Sequence, residues 1–319
     1  MLAVALSCLL AAQDAAKVTL IVGGPGLEAK ASDAAAFQPL AHGVGVPAGA
    51  TLRTGAGVKA IFELSDGTEL RVNEGTEFRF EEARKIDFKK GRLYARIAPG
   101  GPFVLKSEFA PITAESATLD LLFHPPIPGG PKSMTALHVF EGSAEVRVRR
   151  YGQKMTAGYQ CTLVDAQLNT PDVISEGVLE THWVHALLRE RGRATPEVEW
   201  RAKEMLQELS VQAKNDPYEW ALRGLGELAV PVLADYLGRK ADGARRAAAA
   251  KIVGEVATAK SAPLLVGLLG SADAETRVQA AKALSRAAAN DLGYPESYWR
   301  GESRADGLRA WEAWAKERP

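Results

Sequence analysis

The run from Leu52 to Val72, LRTGAGVKAIFELSDGTELRV, constrains the fold of this chain more than any other. Val58, Ala60, Phe62 and Leu64 alternate with Lys59, Ile61, Glu63 and Ser65, the period of two of a strand with one buried face. Leu70 and Val72 resume the alternation after Asp66-Gly67, and their parity selects the turn. A two-residue Asp-Gly loop would set Leu64 against Glu69 and Phe62 against Arg71, mixing apolar and charged faces. A three-residue loop, Ser65-Asp66-Gly67, sets Phe62 against Leu70 and Ala60 against Val72. That register predicts a type I turn with Gly67 left-handed and a bulge.

The same reading extends over residues 17–170, an all-β domain. Strands are predicted at Lys17 to Val22, Phe103 to Lys106, Ile112 to Phe123 and Met155 to Val164. Gly23 to Ala48 reads as loops around one short strand. Two further pairs flank turn signals: Ile86 to Phe88 and Leu93 to Ile97 around Lys89-Lys90-Gly91-Arg92, and Thr135 to Phe140 and Ala144 to Val148 around Glu141-Gly142-Ser143. Pro125 to Pro131, PPIPGGP, lacks backbone donors at its four prolines and predicts an exposed loop. Many short strands imply a sandwich, a barrel or a β-solenoid without a helical layer.

From Thr170 the period becomes helical. Leu179, Trp183, Leu187 and Leu188 form one stripe, and Trp200, Met205, Leu206 and Leu209 another. Thr195-Pro196 followed by Glu197 marks a helix start. Residues 171–216 read as a helical connector or an atypical first repeat. Over 217–319 the chain repeats. Lys251-Ile252-Val253-Gly254 aligns with Lys282-Ala283-Leu284-Ser285 at a period of 31, and Gly226 with Gly254 at 28. The fold class expected is therefore multidomain, all-β followed by an α-solenoid.

The segment Gly49 to Val72, G-x-x-L-x-T-G-x-x-x-x-A-x-x-x-L-x-D-G-T-x-L-x-V, resembles the FecR domain. The likeness continues through Ile86, Gly91, Leu93, the strand near Phe103 to Lys106, V-F-E-G-S-A-E-V from Val139 to Val146, and Ala157-Gly158. Ala117-Thr118 stands where the family often has Gly-Thr. In the bacterial regulators that give the family its name, this domain is the periplasmic sensor part. Residues 217 to about 290 resemble short HEAT repeats of the kind also found in phycobilin lyases, which implies helix pairs stacked to offer an extended face. Asp291 to Glu296 and Ala310 to Trp314 resemble the closing segment of such arrays, with Trp311 and Trp314 capping the last repeat.

Composition and motifs narrow the chemistry. The 39 basic and 39 acidic residues cancel, so there is no electrostatic footprint for nucleic acid or an anionic membrane. Residues 1–16 are signal-peptide-like, with an apolar run from Leu2 to Ala12 too short to span a bilayer. No nucleophile elbow, phosphate loop or zinc-protease signature occurs. His182 and His185 lie three apart on a predicted helix but have no third ligand at motif spacing, so no metal and no cofactor is expected. Cys161, in an alternating run, reads as a buried structural cysteine. Arg239, Lys240, Arg245 and Arg246 read as a solvated repeat edge.

The function expected is non-enzymatic: an exported binding or regulatory scaffold in the bacterial envelope or periplasm. The helical array would hold a protein partner, with Arg223, Lys251, Lys282, Arg245 and Arg246 as candidate partner-binding residues. The β-domain would take an envelope ligand or glycan. Neither nucleic acid nor an integral membrane span is expected. The alternatives are a lyase-like HEAT enzyme handling a prosthetic group and a FecR-type envelope signalling regulator.

Overall fold

The computed structural model describes residues 14–31, 35–108, 110–127, 132–210, 216–239 and 243–317. The chain divides into two compact units, Met1–Leu187 and Leu188–Pro319. The first is mostly β sheet and the second helical. The expected leader falls largely on residues 1–13, outside the described residues, while Asp14, Ala15 and Ala16 open the first strand.

The strands are β1 (Asp14–Val22), β2 (Leu27–Lys30), β3 (Gln38–Pro39), β4 (Gly45–Pro47), β5 (Thr51–Thr54), β6 (Lys59–Glu63), β7 (Glu69–Val72) and β8 (Glu77–Glu82). They continue with β9 (Lys85–Ile97), β10 (Phe103–Lys106), β11 (Pro111–His124), β12 (Met134–Val148), β13 (Tyr151–Thr156), β14 (Tyr159–Val164), β15 (Gln167–Leu168) and β16 (Asp172–Val173). The β6–β7 hairpin has the predicted register: Phe62 pairs with Leu70 and Ala60 with Val72, the Gly67 N–H donates to the Leu64 carbonyl, and Gly67 has φ +85°. Among its described residues, Gly23 to Ala48 holds three short strands rather than one.

Three strands are long: β9 and β12 replace what the sequence reads as separate pieces, and β11 spans the single strand expected at Ile112 to Phe123. The early half of β9 pairs with β8 and, in parallel, with β10; its late half pairs with β7 and β11. β11 likewise meets β10 first and β9 later, and β12 meets β14 first and β13 later. Each of these strands switches which side chains face the core. β9 buries Ile86 and Phe88, then Leu93, Ala95 and Ile97; β11 buries Ile112 and Ala114, then Ala117, Leu119, Leu121 and Phe123; β12 buries Leu137 and Val139, then Ala144, Val146 and Val148. Alternation has a period of two, so a change of parity needs an irregularity in the strand. It falls on Lys89–Arg92, on Glu115-Ser116 and on 140–143, and β11 and β12 shift register there. The two halves of the sheet thus close over one core. Phe62 on β6 meets Phe78 on β8 edge-on at 5.6 Å, and Phe88 on β9 lies 6.5 Å from Phe123 on β11.

This corrects two predicted turns. Gly91 and Gly142 are left-handed, at φ +102° and +72°, but each kinks a continuous strand instead of ending one. A Cβ on Gly142 would sit 2.2 Å from the Ser116 carbonyl oxygen, and one on Gly91 would sit 2.4 Å from the Thr76 Oγ1. Ile61, read as outward-facing, is also fully buried, so β6 is covered on both faces at that point. Pro125, Pro126 and Ile127 follow β11 outside any strand; residues 128–131 of that loop lie outside the described residues.

The helices are α1 (Gly177–Glu180), α2 (Val184–Arg191), α3 (Pro196–Glu208), α4 (Pro217–Leu225), α5 (Val230–Gly238), α6 (Gly243–Val256), α7 (Ala262–Leu269), α8 (Ala274–Ala288), α9 (Glu296–Arg300) and α10 (Ala305–Lys316). Thr195, Asp216 and Asp273 cap α3, α4 and α8, and proline occupies the first turn of α3, α4, α5 and α7, where its missing N–H costs nothing. α4, α6 and α8 pack in succession, and α5 lies between α3 and α7 with α10 on the far side of α7. Arg246 and Arg277 are separated by the repeat period and do the same work. Arg246 donates to the Leu237 and Arg239 carbonyls at the end of α5, and Arg277 to those of Ser271 and Ala272 beyond α7. The Leu237 carbonyl is one that a helix leaves without an intrahelical donor, and the other three belong to the turns that follow the helices. Trp200 is 38% exposed and leaves its expected stripe, since five positions turn a helix about 140° away from Met205.

The two kinds of glycine separate in a stability experiment. Gly67→Ala meets open space and is expected to cost about 1 kcal/mol for the left-handed backbone. Gly142→Ala adds a backbone clash and is expected to cost about 3 kcal/mol or more, read as the shift in urea midpoint.

Candidate functional site

The face of the sheet opposite the core carries polar side chains in cross-strand rows. In the first row Glu69 on β7 pairs with Arg96 on β9, Arg96 with Thr118 on β11, and Thr118 with Glu141 on β12. In the second, two residues along, Arg71 pairs with Tyr94, Tyr94 with Asp120, and Asp120 with His138. Strand alternation supplies the rows, and only the pairing of distant strands brings their members together.

The second row is buried. Asp120, fully inaccessible, accepts from Arg92 Nε at 3.0 and 3.1 Å and from Arg92 Nη2 at 2.8 Å, and its Oδ2 lies 3.2 Å from His138 Nδ1. Burial alone would lower the Arg92 pKa, but Asp120 and then Glu180 outweigh it and hold the guanidinium above its ordinary range. Glu180, on α1, reaches Arg92 at 3.4 Å. The other end of α1 is seated on Phe140, whose ring would be 2.6 Å from a Cβ on Gly177. Tyr94 stacks between Phe140 at 5.9 Å and the Arg71 guanidinium at 5.1 Å. A carboxylate so enclosed needs its cations, because removing one partner of a buried pair leaves an uncompensated charge.

The first row lines an open cavity of about 350 Å³, completed by Gly67, Ile97, Ala98, Ser116, Ala117 and Gly142. Glu69 accepts from Arg71 Nε at 2.6 Å, and Thr118 Oγ1 donates to Glu141 Oε2 at 2.6 Å. Beneath the rim, Arg84 ties the surrounding turns together. It pairs with Asp66 and donates to the carbonyls of Ala98 at 3.0 Å and Gly101 at 2.8 Å. Burial lowers the Arg84 pKa, but guanidinium stays charged across any physiological pH.

On the helical unit, the five candidate partner-binding residues separate into two groups. Arg223 on α4 and Lys251 on α6 share an ion-pair network. Arg223 reaches Glu255 and Glu219 at 2.5 Å each, and Lys251 reaches Glu219 at 3.5 Å. Lys282 on α8 pairs with Glu296 at 3.1 Å. Each of these cations on α4, α6 and α8 thus lies beside a carboxylate. Arg245 and Arg246 instead turn to backbone carbonyls, Arg245 to that of Leu209 at 3.3 Å. Lys240 lies outside the described residues. His185 is buried and His182 Nδ1 lies 2.5 Å from the Leu179 carbonyl oxygen. Among the described residues, no group of three His, Cys, Asp or Glu is placed to hold a metal ion, and no helix is long and apolar enough to cross a membrane.

Sequence reasoning missed both polar rows. The signal was present in the outward positions of the strands, Glu63, Glu69 and Arg71 among them, but alternation alone reads such positions as solvated. Cys161 is buried as expected, and burial pushes its thiol up to about 12.

Two measurements follow. Asp120→Ala is expected to lower stability by about 3 kcal/mol or more, because it leaves Arg92 without its buried acceptor; chemical denaturation reads it. In a Cys8→Ser background, maleimide labelling of folded protein at Cys161 is expected to stay slow at pH 9 and become fast on unfolding. The same raised value means that stability falls as pH climbs above the free-thiol range toward 12, since unfolding then releases the proton.

Residues 50–149 match the family model described as FecR protein. No curated protein matches the chain. Two crystal structures of a protein from Parabacteroides distasonis designated an anti-sigma factor, at 1.65 and 2.50 Å resolution, are similar to the chain at 17% and 16% identity, each with a TM-score of 0.37. Each match covers 42% of this chain and 64% of the other. The matched span of 50–149 runs from β5 through the end of β12 and contains every residue of the cavity and of both polar rows: this part of the chain is a FecR domain.

Proposed function

We propose that this chain is a non-enzymatic regulator in envelope signalling, in which the FecR domain receives a signal and the helical unit holds a protein partner. The FecR match over residues 50–149 carries the reading, and it favours a regulator over a bare scaffold. Export to the periplasm or cell envelope belongs to the same proposal. The helical unit is read as a HEAT-type array. Support comes from the periods of 31 and 28, the succession α4, α6, α8 beside α3, α5, α7, α10, and the equivalent arginines Arg246 and Arg277.

Arg223, Lys251 and Lys282 are the proposed partner-facing residues, because they recur once per repeat along one helix row. Their pairing with Glu219, Glu255 and Glu296 makes a mixed-charge surface, suited to specificity and register more than to strong nonspecific attraction. Arg245 and Arg246 are proposed to serve that surface indirectly, by holding the turns between helices.

The test is genetic and biochemical together. Deleting the gene is expected to change expression of a defined gene set, and the intact gene is expected to restore it. The triple variant Arg223→Glu, Lys251→Glu, Lys282→Glu is expected to fold yet fail to restore it, with at least a tenfold loss of cross-linking to the partner protein. An unchanged transcript profile on deletion would sink the regulator reading.

A further inference from the structure

The cavity of the FecR domain has a lining that selects a ligand chemistry. We infer that it binds a small zwitterion with well-separated charges, of the class of a free diamino acid such as lysine. The inference deepens the proposed sensory role and rests on that reading for its biological meaning, but the binding itself stands on the geometry.

The lining is polar and contains no aromatic side chain, which disfavours an apolar or stacking ligand. Its charged groups are Glu69, Arg96 and Glu141. Arg96 and Glu141 are exposed and flank Thr118 in one cross-strand row. They stand two strand spacings apart, about 10 Å between backbones. A molecule whose charges adjoin one another, such as glycine, cannot satisfy both. One with a carboxylate at one end and an ammonium at the other can. The carboxylate belongs on Arg96, whose guanidinium offers five N–H donors and can add an acceptor to those it already serves. The distal ammonium belongs on Glu141, whose Oε2 already accepts from the Thr118 hydroxyl. An α-ammonium beside the carboxylate then falls on the Glu69 side of Arg96, where Glu69 shares its charge with Arg71.

The site is also built in advance. Gly142 lets its strand lie close against the Ser116 backbone, and the bulge at Glu115-Ser116 sets the backbone on one side. Arg84 holds Asp66, Ala98 and Gly101 in one frame. Groups held in place before binding lose little freedom when the ligand arrives. A volume of about 350 Å³ suits a ligand of amino-acid size.

Calorimetric titration of the purified full chain tests this with L-lysine, norleucine, which lacks the distal amine, and cadaverine, which lacks the carboxylate. Lysine is expected to bind saturably and at least tenfold more tightly than either control. Glu141→Gln is expected to lower lysine affinity to that of norleucine, and Arg96→Gln to lower it to that of cadaverine, with thermal unfolding unchanged in both because the side chains are exposed. Absence of saturable lysine binding in the millimolar range, equal binding of the controls, or full affinity in Glu141→Gln would each overturn the inference. None of these outcomes bears on the transcript measurement, so the ligand can fail while the regulator reading survives, and the reverse.

Discussion

Three strands of the β unit change their buried face part-way along, and the rest of that unit depends on the change. A strand in a single sheet keeps one parity of side chains inward. β9, β11 and β12 begin with one parity in the core and end with the other, so each serves both halves of a sheet closed over a shared interior. The aromatic contacts across that interior, Phe62 with Phe78 and Phe88 with Phe123, exist only because the halves face each other. The irregularities that permit the switch also open the cavity, since Ser116, Ala117 and Gly142 lie on its wall. A structural necessity of closing the sheet thereby creates a concave place on an otherwise pleated surface.

Electrostatics divide by depth. The buried row centres on Asp120, held by Arg92 and beside His138, with Glu180 reaching Arg92 from α1. Such a cluster specifies one seating of α1 on the sheet more than it adds to stability, because the desolvation of each charge offsets much of the attraction. In the other row Arg96 and Glu141 are exposed, while Thr118 is buried and Glu69 is paired with Arg71. On the helical unit Arg246 and Arg277 turn to backbone carbonyls at and just beyond helix ends, while Arg223, Lys251 and Lys282 stay outside among carboxylates.

Much of the local structure was legible. The Ser65-Asp66-Gly67 turn followed from parity alone, because a two-residue Asp-Gly loop would have set Arg71 opposite Phe62. The cap at Thr195 and the proline after it announced their helix. Gly91 and Gly142 misled for a physical reason: a left-handed glycine serves a hairpin turn and a strand bulge equally well, and only the partner strand distinguishes them. Trp200 misled because its hydrophobicity was read before its angle around the helix. The candidate site was invisible because Glu69, Arg96, Thr118 and Glu141 are scattered over more than seventy positions.

The sequence by itself determined the strand and helix periods and the change from β to α, because these rest on neighbours within a turn or a pleat, and it carried the repeat spacing and the resemblance of Gly49 to Gly158 to a FecR domain. The tertiary structure alone decided which glycines bend strands, which outward-facing positions become buried, and which cations point to carbonyls instead of water. It also decided that four distant polar residues share one row. Those outcomes depend on pairings between strands and helices far apart in the chain, and local periodicity holds no information about which segment will lie alongside another.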